Sequence, residues 1–176
     1  MSRVKNFLLT GRPGIGKTTA IISAIRSLDT DPGGFYTEEM RTGRERKGFE
    51  IVSLSNERKV LALKGLKSGH RVGPYGLDMG VMDTFAVDLI KDAMKNKTLI
   101  MIDEIGRMEL MSENFKDIVI KALDSDKPVM GVIMKKDNEF SKEIKNREDT
   151  IIIEVTEANR DKIPDTLKTL VSGVLT

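Results

Sequence analysis

Two short stretches carry residue types suited to phosphate chemistry. "GRPGIGKTT" (11–19) fits the spacing G-x-x-x-x-G-K-[ST] through Gly11, Gly16, Lys17 and Thr18. Glycines at 11, 14 and 16 permit positive φ and let backbone N–H groups close around phosphate oxygens. The predicted nucleotide-binding loop is Gly11, Arg12, Pro13, Gly14, Ile15, Gly16, Lys17, Thr18 and Thr19. Within it the Lys17 ammonium can reach β- and γ-phosphates, and the Thr18 hydroxyl can ligate Mg²⁺. The second stretch is "TLIMIDEIGRMEL" (98–110), where a mostly apolar run ends in adjacent acids, Asp103 and Glu104. Alone, the pair also reads as the solvated end of a strand. Beside a phosphate-binding loop, Asp103 is expected to hold Mg²⁺ through its water shell. Glu104 is then expected to orient or deprotonate a water facing the γ-phosphate.

The elements that must position these groups are legible as periodic runs. "VKNFLLT" (4–10) is an apolar run ahead of the loop, and "AIISAIRSL" (20–28) has helical spacing at Ile21, Ile22, Ile25 and Leu28. Strand, Gly-rich loop and helix therefore follow in order, and the helix starting near Lys17 directs its positive dipole end at an anion. "GGFYTEEMR" (33–41), "GFEIVSLS" (48–55) and "RKVLALKG" (58–65) predict an antiparallel meander. Residues 81–96 predict a helix with Phe85, Leu89 and Met94 toward the core. Residues 111–125 predict a second, capped near Ser112, and 138–147 a short amphipathic one. Strands are predicted at 128–135 and 150–156, and a closing helix at 160–175 with Pro164 in its first turn. Strands alternating with helices imply an α/β fold with a mostly parallel sheet covered on both faces, extended by the meander.

Composition excludes several classes. At 176 residues the chain is expected to form a single domain over 1–176. Its 29 basic and 27 acidic residues leave a net charge of +2, too even to demand nucleic acid or an anionic membrane. With no cysteine there is no disulfide, thiolate or Cys-based zinc site, consistent with a reducing cytoplasm. No apolar run reaches the roughly 18 residues of a membrane span, and the run before Gly11 is too short for a signal peptide.

Taken together, "GRPGIGKTT", "GGFYTEE", "RVGPYGLD" (71–78), "IDEIGRMEL" (102–110) and "NRD" (159–161) resemble the small nucleoside-triphosphatase family of thermophilic bacteria and archaea, which has a human cancer-related relative. The resemblance implies a RecA-like P-loop NTPase fold. It also implies slow, Mg²⁺-dependent hydrolysis of ATP, GTP, CTP and other nucleoside triphosphates to diphosphate and phosphate. A cytoplasmic monomer whose partners are nucleoside triphosphates, not nucleic acid or membrane, is the expected state.

Other residues carry two readings each. Arg107, freed by the flexibility of Gly106, could touch the nucleotide and supply transition-state charge, or be a surface arginine that pairs with Glu109. Arg71 is a second candidate for that charge. Glu38 or Glu39 could serve substrate or a metal-bound water, or merely close a salt-bridged strand end. Lys135 and Lys136 could sense the γ-phosphate or be solvated. Asn159 and Arg160 could meet base or ribose, or cap a helix. "RTGRERK" (41–47) reads as a solvated hairpin turn, and His70 as a loop residue. The competing activity is a nucleotide or small-molecule kinase, which needs an arginine-rich lid to exclude water. The only segment available for one, 135–149, reads more simply as a crossover helix. The third reading, a nucleic-acid-associated switch, lacks an aromatic-rich basic face.

Overall fold

Apolar runs without alternation become strands buried on both faces, and they set the architecture. The computed structural model describes residues 3–175, so the ends of the predicted 1–176 domain lie outside the described residues. Strand β1 (Asn6–Thr10) leads through the loop into helix α1 (Lys17–Ser27). Strands β2 (Pro32–Thr42), β3 (Glu45–Ser53) and β4 (Arg58–Lys64) form the meander. A small hairpin, β5 (Arg71–Val72) and β6 (Tyr75–Leu77), follows it. Helix α2 (Val87–Asn96) precedes β7 (Leu99–Ile105), and α3 (Glu113–Asp124) precedes β8 (Val129–Ile133). Helix α4 (Glu139–Lys145), β9 (Thr150–Glu154) and α5 (Ile163–Ser172) complete the chain.

The strands make one sheet of nine in the order β5-β6-β4-β3-β2-β7-β8-β1-β9. The core β2-β7-β8-β1-β9 is parallel, and the remainder is antiparallel. The predicted mostly parallel core and antiparallel extension are both present. Strand β2 belongs to both regions: Pro32–Phe35 pair with β7, and Phe35–Thr42 pair with β3.

Each face of the sheet buries a separate cluster. Leu8, Phe35, Ile102 and Ile133 pack with α2 and α3, where Phe35 and Phe115 meet at 6.2 Å. On the other face Phe7, Leu9, Met101 and Val132 pack against Ile21 and Ala24 of α1 and Leu167 and Val171 of α5. Because β1 sends Leu8 to one face and Phe7 and Leu9 to the other, the strand is apolar throughout. Burying such a side chain contributes roughly 1.5–3 kcal/mol. Among the described residues no helix is long and apolar enough to cross a membrane.

The structure adds detail to three local expectations. Residues Val81–Ala86 form a π-helical turn ahead of α2. Met82, Ala86, Ile90 and Ala93, at ordinary helical spacing, are fully buried. Phe85, Leu89 and Met94 face the same core, as expected, and are partly buried against it. The solvated hairpin turn expected at 41–47 is present but narrows to Gly43–Arg44, since pairing runs on to Thr42–Glu45 around Gly43, whose φ is +59°. Hairpin β5–β6 was read only as a motif. Ser112 does cap α3, its hydroxyl accepting from the Phe115 amide, and Pro164 sits in the first turn of α5.

Candidate active site

The carboxyl ends of β1 and β7 lie close together, with β8 between them in the sheet. After β1 the chain turns sharply at Gly11, at φ +149°, where a Cβ would lie 2.7 Å from the Val155 carbonyl. Gly14 and Gly16 also have positive φ, Gly16 as the N-cap of α1. Ile15 is buried against the second core cluster and anchors the middle of the loop. Arg12 points outward and pairs with Glu157.

The Lys17 ammonium donates to the carbonyls of Gly11 and Arg12, both at 2.8 Å, and so spans the loop. Burial lowers its pKa, against the raising influence of Glu104 and Asp103. The Thr18 hydroxyl donates to Asp103 Oδ2. Strand β2 adds a further tie, the Thr37 hydroxyl donating to the Asp103 carbonyl at 3.0 Å. Asp103 is 4% exposed, and burial raises its carboxyl to about 7. The Thr18 bond opposes that rise, Glu104 adds to it, and Lys17 opposes it.

Glu104 leaves the ladder, as pairing with β8 steps from Asp103–Val132 to Ile105–Ile133. The peptide bond joining the two acids is cis. Burial raises the Glu104 carboxyl, and Lys17 partly counters it. Gly106 has no positive φ, so backbone freedom is not why glycine is there. A Cβ at 106 would instead fall 2.6 Å from Glu104 Oε1. Gly106→Ala is therefore expected to push the Glu104 carboxylate aside. Turnover should drop by about tenfold or more, in line with the roughly 10²-fold cost of a 1 Å misplacement, while the melting temperature stays near wild type. An unchanged phosphate-release rate in this variant would refute the positional role of Gly106.

These groups open into a cavity of about 380 Å³. Pro13, Gly14, Lys17 and Thr18 line its loop side, and Asp103, Glu104 and Val132 line it from β7 and β8. Thr37, Glu39, Arg46, Phe49 and Val72 wall it from the meander and small hairpin, with Arg107, Met108 and Glu109 contributed by the segment after β7. Of the adjacent glutamates only Glu39 lines it, because neighbouring side chains on a strand point to opposite faces. Glu38 pairs with Arg58 at 2.6 Å. Burial would raise Glu39, but bonds from Arg41 and Arg46 outweigh it and hold the carboxyl below its usual range.

Arg107 is exposed and, among the described residues, pairs with no carboxylate. The predicted Arg107–Glu109 pair does not form, because Glu109 is 3% exposed. Burial drives the Glu109 carboxyl well above its ordinary value, and the charges of Glu104 and Asp103 push it further. Its own N–H and that of Gly106 pull the other way. Arg71 is bound to the carbonyls of Leu66 and Pro74, Lys135 pairs with Glu154 at 2.8 Å, and Lys136 is exposed beyond the end of β8; none of them lines this cavity. Asn159 closes its own turn by accepting from the Thr156 amide and donating to the Glu154 carbonyl. Arg160 borders a separate open groove with Thr19 on the outer side of the loop. His70 is an exposed loop residue.

Thr37, Arg46, Phe49, Val72 and Met108 were missed from sequence. Arg46 belongs to the segment read as a solvated turn, yet it folds back to pair with Glu39 at 2.5 Å and lies 5.4 Å from the Phe49 ring centre. Strict alternation would put Arg46 and Phe49 on opposite faces; the register shift between Met40 and Arg41 brings both to the cavity, and no sequence signal marks it. Among the described residues no cluster of three or more His, Cys, Asp or Glu could hold a metal unaided. The joined Thr18 hydroxyl and Asp103 carboxylate suit Mg²⁺, which takes few protein ligands and fills its octahedron with phosphate oxygens and water.

Known proteins are similar to this chain along most of its length. A family described as NTPase matches residues 6–168. The nucleoside-triphosphatase THEP1 of Thermotoga maritima is 45% identical over 156 residues, 89% of each chain. That of Methanothermobacter thermautotrophicus is 38% identical over 159 residues, 89% of this chain and 90% of its own. The crystal structure of THEP1 from Aquifex aeolicus superposes with a TM-score of 0.85 at 33% identity, over 94% of this chain and 98% of that one. The solution structure of a human cancer-related nucleoside triphosphatase gives 0.79 at 35% identity, over 97% and 98%. A phosphate loop facing an Asp–Glu pair, on a fold shared along nearly the whole chain with these proteins, means that the chain belongs to the NTPase family of nucleoside-triphosphatases.

Proposed function

We propose that the protein hydrolyses nucleoside triphosphates to diphosphate and phosphate, with Mg²⁺ and little discrimination among bases. The observation that carries this reading is the convergence of Lys17, Thr18, Asp103 and Glu104 on one cavity. The loop amides and Lys17 bind the β- and γ-phosphates and stabilise the charge that develops there. Thr18 and Asp103 would hold Mg²⁺, which would supply positive charge to the phosphates. Glu104 orients the attacking water and accepts its proton, a role to which a raised carboxyl is suited. Arg107, exposed beside the cavity and unpaired among the described residues, is available to swing onto the γ-phosphate.

The phosphate machinery contains no base-reading set of buried donors and acceptors, and strong selectivity needs one. ATP, GTP, CTP and UTP should therefore all be turned over, with kcat/KM values within about two orders of magnitude, the scale of modest pocket discrimination. Phosphate release from each, with Mg²⁺ and with chelator, tests the reading. A ten-thousand-fold preference would point to a dedicated kinase or switch, by roughly the margin that buried polar readout achieves.

The metal requirement should depend on pH. Burial holds the Asp103 carboxyl near about 7, and only its ionised form attracts Mg²⁺. A proton and the metal thus compete below about 7, and the competition fades above it. The Mg²⁺ concentration for half-maximal phosphate release is expected to rise as pH falls from about 8 to about 6, by up to tenfold per unit once below the pKa. A requirement that is flat over that range would remove Asp103 from the metal site.

A further inference from the structure

Hydrolysis needs room beside the γ-phosphate for one water, whose share of liquid volume is about 30 Å³. The cavity is about 380 Å³ and reaches away from the loop as far as β3 and β5. That volume falls in the range of small-molecule pockets, roughly 300–1,000 Å³. Its far side has a chemistry that neither water nor phosphate requires. Phe49, Val72 and Met108, from three separate segments, present an apolar wall. The Phe49 ring is fixed edge-on to Tyr75, with centres 5.2 Å apart and planes at 73°. A ring locked this way offers a flat surface at little entropic cost.

Arg46 is the guanidinium on the same side. It shares the Glu39 carboxylate with Arg41, which lies outside the lining, each pair at 2.5 Å. The Arg46 Nε is buried and has no hydrogen-bond partner. A buried donor left unsatisfied costs about 1–3 kcal/mol, so the cluster is incomplete as it stands. An apolar wall beside a guanidinium that is not fully satisfied matches a ligand with a flat apolar ring and an anionic group.

We infer that the meander side of the cavity is a binding site for a second small molecule, a planar ring bearing an acidic group, seated on Phe49 and Val72 with its anion at Arg46. The inference rests on the nucleotide occupying the loop side, as proposed above. Two sources share this chemistry: nucleoside monophosphates and aromatic carboxylates.

The test titrates the full chain, loaded with ADP and Mg²⁺ to fill the loop side, by calorimetry. One arm uses AMP, GMP, CMP and UMP; the other uses benzoate and indole-3-carboxylate. Saturable binding of at least one of them with Kd of about 1 mM or below is expected, and the responding arm identifies the source. Phe49→Ala and Arg46→Gln should each weaken that binding about tenfold or more, about 1.4 kcal/mol, in protein whose circular dichroism matches wild type. The inference is overturned if no compound binds, if excess ADP competes the compound away, or if either folded variant binds it as well as wild type. The readout is binding, so failure of the hydrolysis reading is seen separately, as no phosphate release from Mg²⁺-ATP in the absence of any added compound.

Discussion

Lys17→Ala is expected to abolish measurable turnover of every nucleoside triphosphate and to weaken their binding severely. The Lys17 ammonium already spans the loop through two 2.8 Å bonds, and among the described residues no other cation lines the loop side of the cavity. Its truncation removes the point charge on the β- and γ-phosphates. It also leaves Asp103 and Glu104 without the positive neighbour that moderates their raised carboxyls. Loss of a single preorganised donor to a developing oxyanion costs about 10²–10³ in kcat, and a charged group on the transferred phosphate should cost at least that. Phosphate release beside equilibrium binding of ATP checks both effects. Wild-type hydrolysis by the variant would mean that the phosphate site lies elsewhere.

The second large effect separates the two acids. Glu104→Gln keeps the shape of the side chain but loses the group that accepts a proton. Turnover should fall by roughly 10²–10⁴, the size of a general-base contribution, with ATP affinity close to wild type. Asp103→Asn should slow the reaction and also raise the Mg²⁺ concentration it needs, because the Thr18–Asp103 pair loses its charge. Titrating Mg²⁺ against phosphate release in both variants distinguishes them. Most of the turnover surviving in Glu104→Gln would move the catalytic carboxylate to Glu39 or Glu109, the other acids lining the cavity. Equal loss of ATP binding in both would make the pair a single metal site.

What could be read from sequence was what is contiguous in sequence. The loop and the acid pair are short motifs whose chemistry follows from residue type and spacing, and the parallel core follows from apolar runs alternating with helices. The far wall of the cavity has no such compactness. Thr37, Arg46, Phe49 and Val72 come together only through pairing of β2 with β3 and folding of the small hairpin, and the register of that pairing is a tertiary property. Arg46 sits in a charged hairpin that composition alone assigns to solvent, and only its contacts with Glu39 and Phe49 turn it inward. The π-helical turn before α2 has no sequence signature either, and the buried residues around it still follow the 3.6-residue period.

Strand β2 changes allegiance at Phe35, parallel to β7 before it and antiparallel to β3 after it. Apart from Met108, the far wall is therefore encoded in a separate length of chain from the reaction machinery, joined to it through this ribbon and the Thr37–Asp103 bond. Hairpins tolerate replacement more readily than buried parallel strands do. Lineages could recast residues 38–77 wholesale while leaving the glycine-rich loop, the acid pair and its Thr37 tie untouched, so one hydrolytic engine could acquire different recognition chambers. A chimera carrying a relative's hairpin segment on this core would inherit its choice of small molecule from the donor and its rate of phosphate cleavage from the recipient.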